Sequence, residues 1–81
     1  MRINVVAFAR LRELLGPDRT FECADGTSAG ELWNILTAGD ARLAPFAAST
    51  RLARNGRVCS DLREPLQEGD ELALLPPVGG G

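Results

Sequence analysis

Ser28-Ala29-Gly30-Glu31-Leu32-Trp33-Asn34-Ile35-Leu36-Thr37-Ala38-Gly39 is the stretch from which the fold is read. Ser28 and Glu31 have capping-box spacing, in which each side chain takes up the other's free backbone N–H and opens a helix. Leu32, Ile35 and Leu36 then form one apolar stripe at helical spacing, and Gly39 is a natural C-terminal stop. Gly30 in the first turn weakens the helix slightly. Trp33 falls off this stripe and is assigned to packing, over a core edge or over the loop through Pro45 and Phe46.

The segments on either side read as strands. Residues 2–8 alternate, with Ile3, Val5 and Ala7 on one face and Val6 and Phe8 on the other. Leu11, Leu14 and Leu15 mark a short helix that stops at Gly16-Pro17. Residues 20–23 form a second strand with Phe21 and Cys23 inward. After the main helix, the alanine-rich stretch 40–49 is broken by Pro45 and reads as irregular or partly helical. Residues 51–54 and 57–60 flank Asn55-Gly56, a strong hairpin-turn dipeptide. Glu68-Gly69-Asp70 is a turn, and residues 71–75 form the last strand with Leu72 and Leu74 inward. This order is that of an α+β domain, a mixed sheet packed on one principal helix, and it matches the β-grasp (ubiquitin-like) fold. A ferredoxin-like arrangement would need a second long amphipathic helix. Residues 1–75 form the domain and residues 76–81 an extended tail.

Composition narrows the function. With 81 residues there is room for one small domain, and 44% hydrophobic with 25% charged residues is globular usage. No apolar run approaches the roughly 20 residues of a membrane span, and no signal segment is seen, so the expected location is cytoplasmic, with no membrane partner. The net charge is −2 and all nine basic residues are arginine, which argues against nucleic acid as a partner. Cys23 and Cys59 match no metal or redox spacing; no metal site is expected, and both read as small buried apolar residues. The acidic stretch of Asp61, Glu64, Glu68, Asp70 and Glu71 reads as turn and strand-edge charge, as do Arg51, Arg54 and Arg57 around the hairpin turn.

The tail Pro76-Pro77-Val78-Gly79-Gly80-Gly81 is the chemical feature. Two prolines cannot continue a ladder and hold an extended direction. Glycines without Cβ atoms can thread a narrow channel, and six extended residues reach roughly 20 Å. Such an arm can deliver the Gly81 carboxylate into another protein's active site. A carboxylate acylates poorly until it is activated, and adenylation by ATP on a partner enzyme is the economical route. If a persulfide then supplies sulfur, Gly81 ends as a thiocarboxylate, a strong nucleophile. The carrier itself needs no catalytic side chain and no bound cofactor, which fits a chain without histidine. A frayed terminus would also be glycine-rich; the placement directly after a strand and Pro-Pro favours the functional reading.

Two motifs carry a resemblance. Ala7-Phe8-Ala9-Arg10-Leu11-Arg12-Glu13-Leu14-Leu15-Gly16 resembles the first-strand and helix signature of the MoaD/ThiS ubiquitin-like family, in particular the MoaD-type small subunit of molybdopterin synthase. The stretch Gly69-Asp70-Glu71-Leu72-Ala73-Leu74-Leu75 with the tail after it resembles that family's last strand and terminus, and is the more specific of the two. The resemblance implies a sulfur carrier whose Gly81 is adenylated by an E1-like adenylyltransferase and thiocarboxylated from a persulfide sulfur donor. It implies docking on the molybdopterin synthase large subunit, in a heterotetramer, with Pro76, Pro77, Val78, Gly79 and Gly80 threading the partner's active site. There the thiocarboxylate supplies sulfur for the molybdopterin dithiolene, starting from cyclic pyranopterin monophosphate. By the same resemblance Phe8, Val58 and Leu75 fall at hydrophobic docking positions. Strand alternation alone also sets Phe8 and Leu75 on the outer face, where they either dock a partner or finish the core edge. Family members often carry a bulkier residue than Gly79 and an aromatic where Leu74 or Leu75 stands. Other readings are a sulfur carrier for thiazole, cysteine or tRNA thiolation, a ubiquitin-like protein modifier, and a β-grasp interaction module with an idle tail.

Overall fold

In a computed structural model, residues 1–77 are described. The elements are β1 (Arg2–Ala7), α1 (Ala9–Leu15), β2 (Arg19–Glu22), α2 (Ala29–Gly39), a 3₁₀ helix (Ala41–Phe46), β3 (Arg51–Arg54), β4 (Arg57–Val58) and β5 (Glu71–Leu75). The five strands form one sheet in the order β2-β1-β5-β3-β4. β1 and β5 run parallel at its centre, with Val5 beside Leu72 and Ala7 beside Leu74, and the outer pairs are antiparallel. This is the β-grasp arrangement expected from the element order. Among the described residues no helix is long and apolar enough to cross a membrane.

Alternation along the strands sends Ile3, Val5, Ala7, Leu52, Leu72 and Leu74 to one face, where α2 covers them. Each fully buried leucine there contributes about 2 kcal/mol. The capping box at Ser28 is complete: Glu31 N–H donates to Ser28 Oγ at 3.1 Å, and Ser28 N–H donates to Glu31 Oε1 at 3.0 Å. Gly30 sits at a close approach. Its N–H donates to the Leu62 carbonyl at 2.9 Å, and a Cβ on residue 30 would stand 3.1 Å from that oxygen.

Several expectations are corrected. The buried stripe of α2 is Ala29, Leu32, Trp33 and Leu36, while Ile35 is 55% exposed. The stripe is centred nearer Trp33 than the leucine spacing indicated, because Ala29 at the first turn belongs to it and sets its phase. Trp33 is buried and its Nε1–H donates to the Ala47 carbonyl at 3.0 Å, so it does hold the loop beyond Pro45. β1 stops at Ala7 because Phe8 becomes the residue preceding α1. β4 covers only Arg57–Val58; Cys59 continues with one N–H to the Leu52 carbonyl at 2.8 Å, after which the chain leaves the sheet. The 40–49 stretch contains a 3₁₀ helix, whose Leu43 is fully buried. Cys23 and Cys59 are half-buried against the core and not fully inside it. Burial, and secondarily the Glu64 carboxylate, push the Cys59 thiol above its usual range, so it stays protonated at neutral pH.

Candidate functional site

The site forms where β5 ends. Leu72 and Leu74 point into the core, so Ala73 and Leu75 point out. The parallel register sets Val6 beside Ala73, and the next outward residue of that chain is Phe8, flanking Leu75. On the other side, β3 places Arg51 opposite Leu75 and Ala53 opposite Ala73, and β4 adds Val58 opposite Ala53. One outer face therefore carries Phe8, Leu75 and Arg51 at its far end, with the alanines as a shallow floor and Val58 beyond them. Phe8 is 46% and Val58 56% exposed.

Local backbone geometry sets Phe8. It is extended at φ −126° and precedes α1, where a serine or aspartate would normally cap the helix; Phe8 supplies no side-chain hydrogen bond. Its carbonyl accepts from the N–H groups of Leu11 and Arg12, and its own N–H donates to the Leu74 carbonyl at 3.2 Å. Ala9 turns the chain with φ +51°, a left-handed conformation that costs an L-residue about 1 kcal/mol. This corner holds the phenyl ring over the outer face while Leu11 enters the core.

Phe8, Ala9, Leu75, Pro76 and Pro77 line an open groove of about 550 Å³, and Ser49 and Arg51 form its third side. The structure thus brings two of the three candidate docking residues, Phe8 and Leu75, together with Pro76 and Pro77. Val58 shares the face but lines a separate, more polar cleft with Arg57, Cys59 and Glu64. Val78, Gly79, Gly80 and Gly81 lie outside the described residues.

At the opposite end of β5 the surface is charged. Asp70 is buried; its Oδ1 accepts from Asn55 Nδ2 at 2.9 Å, and its Oδ2 accepts from Arg54 Nε at 2.7 Å and from Gln67 N–H at 2.8 Å. Burial alone would raise its pKa, but the Asn55 amide, the Gln67 N–H and the Arg54 guanidinium outweigh that and hold it below the usual carboxylate range. Asn55 sits at φ +50° and Gly56 at φ +85°, the two left-handed residues of a type I′ turn, and Asn55 Oδ1 accepts from Glu71 N–H. Glu64 binds Arg54, Asp61 binds Arg63 and Glu68 binds Arg2, so most of the acidic stretch is engaged in ion pairs. No cluster of three metal-ligating side chains exists among the described residues.

Sequence reasoning missed Asp70 as a hub, Ala9 as the corner, and Ser49 and Arg51 as groove residues. The arginine group around the hairpin also separates: Arg54 belongs to the Asp70 network, whereas Arg51 lies at the far end of β3 beside Leu75. Its position follows from alternation out from Leu52 once the β3–β5 pairing is known.

The ThiS family model matches residues 5–81, from the first strand through the glycine tail. The chain belongs to the ThiS family. The molybdopterin synthase sulfur carrier subunit of Escherichia coli (strain K12) is 36% identical over 80 residues, covering 98% of this chain and 99% of the relative. Among solved structures, SAMP1 from Haloferax volcanii aligns at TM-score 0.83 and 27% identity over all of both chains. A chain from the protein–protein complex of subunits 1 and 2 of molybdopterin-converting factor from Helicobacter pylori 26695 aligns at TM-score 0.74 and 25% identity, again over all of both chains. The β-grasp fold and the resemblance drawn from the two sequence motifs are both upheld.

Proposed function

We propose that this chain is the sulfur carrier subunit of a molybdopterin synthase. The observation that carries the reading is the near-complete, end-to-end match to a molybdopterin synthase sulfur carrier subunit at 36% identity, on a fold whose central strand runs into Pro76-Pro77. The Gly81 carboxylate attacks the α-phosphate of ATP on an E1-like enzyme and pyrophosphate leaves. The terminal sulfur of a persulfide then attacks the acyl carbon, and AMP leaves. A thiol cuts the resulting acyl disulfide, taking the donor cysteine into a new disulfide and freeing the thiocarboxylate. Phe8, Val58 and Leu75 dock on the large subunit, and Pro76, Pro77, Val78, Gly79 and Gly80 carry the sulfur into its active site, where it builds the dithiolene. The chain supplies no catalytic side chain and binds no cofactor; catalysis belongs to the heterotetramer it completes.

Intact mass spectrometry of the protein isolated from cells tests the chemistry. The expected species is heavier by about 16 Da, one oxygen replaced by sulfur, localised to Gly81. Deleting Gly80 and Gly81 removes that species and the conversion of the pyranopterin precursor by the large subunit. Conversion that survives the deletion would refute the reading.

The likeness to SAMP1, whose kind is named a small archaeal modifier protein in a second Haloferax volcanii structure, favours one alternative. On that reading Gly81 forms isopeptide bonds with lysines of other proteins. Covalent ladders on an immunoblot that vanish on deletion of Gly80 and Gly81 would support it.

A further inference from the structure

Among the described residues, Arg51 is the one charged residue lining the groove at the root of the tail. Its register opposite Leu75 fixes its position on the outer face, and it is exposed. The other arginines are mostly engaged. Arg2, Arg10, Arg12, Arg42, Arg54 and Arg63 each pair with a carboxylate, and Arg19 lies over the Phe21 ring at 4.9 Å. Arg51 and Arg57 have no carboxylate partner among the described residues, and only Arg51 stands in the groove.

We propose that Arg51 is a specificity-determining residue of the docking face, reading an acidic side chain that the large subunit presents beside the channel receiving the tail. The inference rests on the docking face assigned above and adds to it a charge. An aliphatic stem can lie along Leu75 while the guanidinium stays at the groove rim. When Phe8 and Leu75 are covered, water leaves the groove and a guanidinium without a carboxylate loses hydration with nothing in return. A carboxylate at that point, held by both arms of the planar fork, restores the lost interactions and fixes the direction in which the tail leaves. A mildly acidic carrier, net charge −2, thereby offers its partner a local positive mark at the one place where alignment of the tail matters.

The test is the affinity of the full-length chain for its own large subunit across a salt series, measured by surface plasmon resonance. Arg51→Glu is expected to weaken binding by about 30-fold at low salt and to flatten the salt dependence, and Arg51→Gln by about 5-fold. Arg63→Glu, the same charge change at an exposed arginine outside the groove, is expected to change affinity by less than about 2-fold. Thermal melts of all three should match the parent. Arg51→Glu binding like the parent, or both reversals weakening binding equally, would overturn the inference. Phe8→Asp in the same series separates the two readings: if it weakens binding and Arg51→Glu does not, only the role of Arg51 fails. If neither variant weakens binding, the docking face itself is wrong.

Discussion

The two ends of the five-residue strand β5 obey opposite rules. At its start, Asp70, Arg54, Asn55 and the Gln67 N–H satisfy one another, and the turn residues with positive φ are asparagine and glycine. At its finish, the helix beginning at Ala9 has phenylalanine where a cap belongs, alanine holds a left-handed φ, and apolar side chains border an open groove. A chain that puts a full capping box on α2 and none on α1 does not lack the means to stabilise a helix. The difference teaches that one end of the strand is built to hold the fold, while the other carries the local strain and open apolar surface that the proposed docking would use.

Asp70→Ala should produce the largest effect. It strips three hydrogen bonds from a buried site and leaves Arg54 with only exposed Glu64, so unfolding free energy should drop by about 3 kcal/mol in urea melts. Asp70→Asn, which keeps the shape, should lose less. If Asp70→Ala melts within about 0.5 kcal/mol of the parent, the start of β5 is not the anchor described here.

Phe8→Asp inverts the pattern. Aspartate at this extended position is a preferred helix cap, so stability should hold or rise by up to about 1 kcal/mol. Binding to the large subunit should fall by at least about 30-fold, the size expected when a central aromatic contact is lost. A folded Phe8→Asp variant that still binds would remove the distinction between the two ends.

Most of the fold was legible because it is written in local patterns. The capping box at Ser28, the stop at Gly16, the Asn55-Gly56 turn and the alternation of Leu72 and Leu74 each act within a few residues. What was not legible depends on which strands meet. Asp70 bonds to residues 15 and 16 positions away, so its role appears only when β3 and β5 pair. Leu43 and Leu66 are buried from a 3₁₀ helix and a loop, which carry no strand or α-helical period to read. Ile35 and Trp33 exchanged roles because the stripe had been phased on leucines alone. Of the candidate site, Phe8 beside Leu75 followed from alternation plus one parallel pairing, while the tail from Val78 on lies outside the described residues. The groove charge at Arg51 needed the β3–β5 register as well.

Ala9→Gly sharpens the unsatisfied end with a smaller change. Glycine adopts φ +51° without penalty, so the variant should gain about 0.5–1 kcal/mol, read as a raised melting temperature. Because Ala9 is exposed, little packing is lost. A lowered melting temperature would mean the corner is not strained, and the contrast with the Asn55-Gly56 turn would lose one of its supports.

Acid should distinguish the ends most gently. The Arg42 side chain, then its backbone N–H, hold Asp40 down to about 2 against an ordinary 3.8, and Asp70 is lowered as well. Carboxylates lowered in the folded state stabilise it fully above their unfolded pKa, and that contribution disappears as pH falls through the folded value. Melting temperature should therefore be level above pH 4 and decline as pH falls from 3.8 toward about 2. The decline should be shallower in Asp70→Asn. Asp40 also caps the 3₁₀ helix whose following residue, Ala47, accepts the Trp33 hydrogen bond, so Trp33 fluorescence should shift in the same pH window before global unfolding. Amide exchange at Gln67, whose N–H donates to Asp70 at the start of β5, should accelerate in this window before that at Leu75. If Leu75 loosens in step with Gln67, the two ends are one cooperative unit and the separation of holding from docking fails.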